Sequence, residues 1–277
     1  MNDSIVQLPD GRNISYRLIG EKGPTVVFES GLSCDKEYWK KLQTRMANDC
    51  ISLSYDRSGL GNSDLQDFPK SLETITSDIE KLIIYLELKP PYIFVGHSFG
   101  GILAKHYTYY FGKKALGVVF VDGSDSYFED KTLQYRTDSQ RKYWATMSNR
   151  PDPDETIAEK QEYKVFREIL EVNRNIRLRN DISTQILVCD NLTAWFNPNI
   201  DEYYTFDQTP KDILQRDNEA WIECHKAWLE QAPSANLVIV KDCSHNIHLD
   251  NEDCVYEAIK NTVFSETSNK AMPATSA

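Results

Sequence analysis

Nowhere among the 277 residues is there an apolar run long enough to cross a bilayer as a helix. The segment from Met1 to Pro9 carries an acidic residue and no apolar run preceded by lysine or arginine, so no secretory leader is expected and a cytoplasmic location is. A basic surface is missing too. With 31 lysine and arginine residues against 42 aspartate and glutamate, the formal net charge is −11, which disfavours nucleic acid or an anionic membrane as partner. There is no CxxC pair: Cys34, Cys50, Cys189, Cys224, Cys243 and Cys254 are scattered through a chain too long to depend on disulfides, and are expected to be reduced and mostly buried. No repeat recurs at solenoid spacing. No histidines and carboxylates fall at metal-ligand spacing, and Gly59-Leu60-Gly61 lacks the third glycine and helix start of a dinucleotide fingerprint. Neither metal nor cofactor is therefore expected. What remains is a neutral or weakly polar small-molecule partner for a monomer or homodimer.

What is present is an alternation of buried strands and amphipathic helices. At 40% hydrophobic residues, the chain can bury one large core and carry a small insertion. Residues 14–19, 25–29 and 51–55 are short β-branched and aromatic runs bounded by turn signals, each read as a strand. Between the second and third, Tyr38, Trp39, Leu42 and Met46 recur at helical spacing. Ile75, Ile79, Leu82, Ile83 and Leu86 share one helical face before Pro90 and Pro91. A strand at 92–95, a helix to about Phe111 and a nearly continuous apolar run at 116–121 follow. This order implies an α/β fold, a mostly parallel central sheet flanked by helices with right-handed crossovers. Residues 126–181 break the alternation with charged helical sequence and are read as a helical cap inserted into a core of 1–125 and 182–264. Strands resume at 185–189 and 236–241, a last helix covers about 254–263, and the polar tail 265–277 is expected to be disordered.

Gly96-His97-Ser98-Phe99-Gly100 follows a strand and opens a helix, the setting a nucleophile elbow requires. A serine on so tight a turn is forced into strained backbone angles, and the flanking glycines let the chain pass close to itself. The helix beginning there points N–H groups at the place where charge develops on an acyl substrate.

Further motifs stand in matching order. Glu29-Ser30-Gly31-Leu32 follows a strand, Asp56-Arg57-Ser58-Gly59-Leu60-Gly61-Asn62-Ser63 reads as a DRxGxGxS turn, and Val121-Asp122-Gly123-Ser124 follows the strand after the elbow helix. With them the chain resembles the α/β-hydrolase superfamily over nearly its whole length. The resemblance implies an α/β-hydrolase fold with a helical cap, Ser98 as nucleophile, and the N–H groups of Leu32 and Phe99 as oxyanion donors. Gly31 and His97 beside the nucleophile, and Tyr127 and Trp144 from the cap, are expected to border the substrate.

Five histidines compete for the role of general base. In this fold the order is nucleophile, acid, histidine, with the histidine after the last strand, which selects His245, although Ser244 stands where the family has glycine. His97, His106, His225 and His248 are read as packing or hydrogen-bonding residues, with His225 still able to touch substrate. The acid must hold the imidazole in its proton-accepting tautomer. Asp122 at the end of the 116–121 strand is preferred; Asp190 beyond the penultimate strand is the alternative, and Asp201 comes third.

A serine at the elbow points to attack on a carbonyl rather than epoxide or haloalkane chemistry, which relatives perform with an aspartate there. The expected function is a serine hydrolase cleaving an ester-type bond, carboxylesterase-like or lactonase-like, of a small molecule through an acyl-enzyme. The alternative is a hydrolase-fold protein that binds a small molecule with little or no turnover. Phe128, Tyr135, Tyr143, Tyr163 and Phe166 join Tyr127 and Trp144 as candidates to line the cap, with Trp195, Phe196, Tyr203 and Tyr204 after the penultimate strand; core packing is their ordinary role.

Overall fold

The computed structural model describes residues 3–147, 155–192 and 210–269, without the side chains of 143–147, 210–212, 214 and 265–269. Among these residues eight strands form one sheet in the order β1-β2-β4-β3-β5-β6-β7-β8. They are β1 (Ser4–Gln7), β2 (Asn13–Ile19), β3 (Thr25–Glu29), β4 (Ile51–Tyr55), β5 (Tyr92–His97), β6 (Ala115–Val121), β7 (Ser183–Cys189) and β8 (Asn236–Val240). From β4 onward along the sheet every pairing is parallel, while β2 runs antiparallel to both β1 and β4. A parallel strand covered by helices on both faces is apolar at successive positions, and β3 and β5 are buried along their whole length. Each Val, Ile or Phe so buried contributes about 1.5–3 kcal/mol of transfer free energy.

The helices are α1 (Lys40–Arg45), α2 (Leu72–Tyr85), α3 (Phe99–Tyr110), α4 (Phe128–Leu133), α5 (Asp138–Met147), α6 (Ile157–Asn173), α7 (Pro210–Trp228), α8 (Ile247–Asp250) and α9 (Glu252–Asn269). The seven strands read from the sequence are all present. The sequence reading passed over β1, an edge strand whose exposed Ile5 weakens its pattern. The helix expected before β4 is a 3-10 turn, Lys36–Trp39, running into the short α1.

Between β6 and β7 the described residues form three helices, α4 to α6, and no strand. Thr156 starts α6 with a capping box, its hydroxyl accepting from the Glu159 N–H while the Glu159 side chain accepts from the Thr156 N–H. Ala158, Glu162, Val165, Ile169 and Asn173 make up the buried stripe of that helix. The tail expected to begin at 265 needs correction: α9 continues to Asn269, since neither proline nor glycine interrupts it there. Residues 270–277 lie outside the described residues.

Candidate active site

Ser98 sits between the end of β5 and the first turn of α3, with φ 53° and ψ −119°. A non-glycine residue held there stores roughly 1–3 kcal/mol, supplied by the surrounding packing. The two flanking glycines are required by contact rather than by dihedral. A Cβ on Gly96 would stand 2.1 Å from the Gly100 carbonyl oxygen, and one on Gly100 would stand 2.3 Å from the carbonyl oxygen of Glu29 in β3. The elbow is therefore wedged against the strand that leads into the Gly31 loop. Ser98 is 7% exposed. Its Oγ lies 3.5 Å from the Ser124 Oγ, and the Ser124 N–H donates to the Ser98 carbonyl at 3.0 Å.

Asp122 follows β6 directly, fully buried and at φ +49°. Its Oδ2 is 2.6 Å from His245 Nδ1, and its Oδ1 accepts from the Cys189 N–H at 2.9 Å and the Trp221 indole N–H at 2.8 Å. Burial by itself would push this carboxyl up; the bond to His245, the charges of His245 and His225, and the Trp221 bond outweigh it and hold the group below its usual value. An ionised carboxylate only accepts, so His245 Nδ1 carries the proton and Nε2 is the basic ring nitrogen. Asp190 is engaged elsewhere, accepting from the Cys243 N–H at 3.4 Å and standing 3.7 Å from Lys241 Nζ. Asp201 lies outside the described residues. Trp221 was not singled out from the sequence. It sits on α7 one turn before His225, whose ring nitrogens lie 2.8 Å from the carbonyl oxygens of Trp221 and Gly123, so His225 ties α7 to the loop beyond Asp122.

The loop after β3 is tied down by a buried ion network. Arg57 donates to the carbonyls of Ser30 at 2.8 Å and Gly31 at 2.6 Å, and to Glu162 through Nε at 2.7 Å and Nη2 at 2.8 Å. Glu162 also accepts from the Ser33 N–H at 2.7 Å. Burial opposes its charge, but Arg57 and Lys70 hold its carboxyl below the usual range. The backbone on both sides of Leu32 is thus fixed, by Arg57 from the DRxGxGxS turn and by Glu162 from α6. Phe99 occupies the first position of α3, where a helix leaves its N–H without an intrahelical acceptor. Its ring packs edge-on against Phe166 of α6 with centroids 5.5 Å apart.

The profile of the alpha/beta hydrolase family matches residues 26–258, from β3 to α9. The chain belongs to that family. Among curated relatives it is similar to the uncharacterized protein YqjL of Bacillus subtilis (strain 168), 29% identical over 103 residues, which are 37% of this chain and 41% of YqjL. The matched stretch thus spans about two-fifths of that relative. Among solved structures it resembles an esterase from Exiguobacterium antarcticum, at TM-score 0.60 and 16% identity over 95% of this chain and 100% of that one. An enol-lactonase from Burkholderia xenovorans LB400 matches at TM-score 0.60 and 15% identity over 95% and 100%. At these identities the likeness is one of fold.

Three imidazoles cluster in this alpha/beta hydrolase. The His97 ring lies 4.6 Å, centroid to centroid, from both His245 and His248, and His97 Nε2 is 3.0 Å from the His245 carbonyl oxygen. Burial first, then the two neighbouring histidines, push His97 well below its ordinary value, so it is a neutral ring that donates from Nε2. A Cβ on Gly31 would come within 3.0 Å of His97 Nδ1 and 3.5 Å of Ser98 Cβ, which places both Gly31 and His97 beside Ser98. Tyr127 stands apart. It is 47% exposed and borders a cavity whose walls include neither Ser98 nor His245. Trp144 lies on α5 with its side chain outside the described residues, as is that of Tyr143; Trp195, Phe196, Tyr203 and Tyr204 also lie outside them. His106 is half-buried against Tyr107 and Tyr110 on α3. Among the described residues no three histidine, cysteine or carboxylate groups stand close enough to hold a metal, and no helix is long and apolar enough to cross a membrane.

Proposed function

We propose that this alpha/beta hydrolase is a serine hydrolase that cleaves an ester-type bond of a small molecule, in the manner of a carboxylesterase or lactonase, through an acyl-enzyme on Ser98. The observation that carries the reading is the 2.6 Å contact between Asp122 and His245, which fixes the imidazole tautomer beside the strained elbow. In the first half-reaction His245 Nε2 takes the hydroxyl proton as Ser98 Oγ attacks the carbonyl, and Asp122 stabilises the imidazolium formed. The oxyanion is received by the N–H groups of Phe99 and Leu32, the second held in register by Arg57 and Glu162. A preorganised donor of this kind is worth about 2.7–4 kcal/mol in the transition state. His245 then returns its proton to the leaving oxygen, and the same imidazole activates the water that releases the acid and regenerates Ser98.

The helices between β6 and β7 would roof the site, and Phe166 already reaches Phe99 from there. Esters and lactones are favoured because the structures named above include an esterase and an enol-lactonase on the same fold. A panel of acyl esters and lactones of graded chain length, assayed with wild type and Ser98→Ala, tests the proposal. Turnover that vanishes in the variant supports it. Equal turnover by the two proteins refutes it, and no turnover by either favours a binding protein on the hydrolase fold.

A further inference from the structure

A cavity of about 660 Å³ lies beside α3, with neither Ser98 nor His245 in its wall, which is formed by the segment following Gly123, by α4, by the end of α6 and by the last turns of α7. Ligand sites of small molecules commonly fall in this size range. Lys105 of α3 is part of the wall although it is only 8% exposed, and among the described residues its ammonium has no ion pair and no hydrogen bond. Holding a mostly buried lysine whose ammonium is unpaired among the described residues is costly, so its place in the wall calls for an explanation. The nearest acid does not supply one. Asp125 spends Oδ1 on the Tyr127 N–H and Oδ2 on the Trp228 indole N–H, each at 2.7 Å, and burial still outweighs its attraction and pushes Lys105 down to about 8.

The other cations of the wall divide into two kinds. Lys131 and Arg174 are neutralised, by Glu223 at 3.0 Å and by Asp130 at 2.6 Å. The Arg177 guanidinium, like Lys105, has no acidic partner among the described residues. The wall sets these four cations, Arg177 on its exposed side, against Asp125, Asp130 and Glu230, so it carries one more positive than negative charge in a chain whose net charge is −11. Trp228, Ile176 and Ala227 give the same cavity an apolar side.

We propose that this cavity binds a small organic anion, a carboxylate on an apolar body, with the carboxylate on the Lys105 ammonium and Arg177 as second cation, and the body against Trp228 and Ile176. The site is separate from Ser98 and does not depend on the reaction assigned to it.

Calorimetric titration of the full-length protein with benzoate and hexanoate, and with benzamide as the neutral counterpart of benzoate, tests the proposal. Saturable binding of at least one carboxylate is expected, with the same affinity in wild type and Ser98→Ala. Lys105→Met should weaken it about tenfold or more, the worth of a charge-assisted hydrogen bond. Because that variant removes a charge unpaired among the described residues from a mostly buried side chain and keeps its length, it should fold at least as stably as wild type. Arg177→Gln should weaken binding as well, and benzamide should bind more weakly than benzoate. Failure of both carboxylates to bind at millimolar concentration, unchanged affinity in Lys105→Met, or loss of binding in Ser98→Ala would each overturn the assignment.

Discussion

Glu162→Gln tests how far the Gly31 loop depends on a residue more than a hundred positions away. The wild-type carboxylate accepts two hydrogen bonds from Arg57 and one from the Ser33 N–H, and both ions are buried. Glutamine removes the charge and keeps one acceptor oxygen, leaving Arg57 with only Glu29, 3.4 Å away, as an acidic partner. Breaking one side of a buried pair costs about 3–5 kcal/mol. With an unfolding entropy near 2.1 cal/mol/K per residue, the whole chain loses about 0.6 kcal/mol per degree, so Tm should fall by roughly 5–9 °C. Activity should drop as well, because Ser33 anchors the loop that holds Leu32. The double variant Arg57→Leu/Glu162→Leu should not recover wild-type Tm, because buried Glu29 loses Arg57 and buried Lys70 loses Glu162. Its activity should stay low because the bonds from Arg57 to Ser30 and Gly31 are gone. Thermal melts and ester turnover on the three proteins measure this. A Tm within a degree of wild type for Glu162→Gln, or full activity in the double variant, would refute the reasoning.

Asp122→Asn should lower kcat by about 10³–10⁴ through the wrong histidine tautomer, and Asp190→Asn should leave it nearly unchanged; the opposite pattern in turnover assays would move the acid to Asp190. Trp221→Phe deletes one of three bonds to Asp122, so the Asp122 carboxyl should titrate higher and stability should fall by about 1.5–3 kcal/mol in urea unfolding, with no change counting against the role given to Trp221. His248 stacks 4.7 Å from Trp39 with neither ring nitrogen bonded among the described residues, and burial followed by the charge of His245 pushes it down to about 3. At neutral pH and above its ring is uncharged in both states. Below about pH 6.5 the unfolded chain takes up a proton that the folded chain refuses, so stability falls with pH, by about 2 kcal/mol at pH 5, and the loss ends only near pH 3. His248→Phe should flatten urea-derived stability between pH 7 and pH 5 by that amount, and parallel profiles for the two proteins would contradict it.

The sheet was legible because parallel strands covered on both faces leave apolar runs that turn signals delimit, as in β5 and β6. The elbow was legible because its glycines answer a local contact that any such turn must solve. Asp122 could be preferred only by the chain order of a resemblance, since the bond to His245 joins residues 123 positions apart. Glu162 left a weaker trace. It occupies the buried stripe of α6 together with Ala158, Val165 and Ile169, and a carboxylate in an apolar stripe is a sign of a buried partner that the sequence does not name. Trp221 left no trace, because nothing local shows that its indole N–H meets Asp122. Tyr127 borders the cavity beside α3, whose walls include neither Ser98 nor His245, and position in the insertion alone does not say where a side chain faces.

The central claim is that Ser98 is an activated nucleophile, and covalent labelling with a fluorophosphonate, read by intact mass and peptide mapping, tests it most directly. Wild type should take one adduct, on Ser98, and His245→Ala should react more slowly by orders of magnitude. No adduct, an adduct on the neighbouring Ser124, or equal labelling rates in the two proteins would contradict the account.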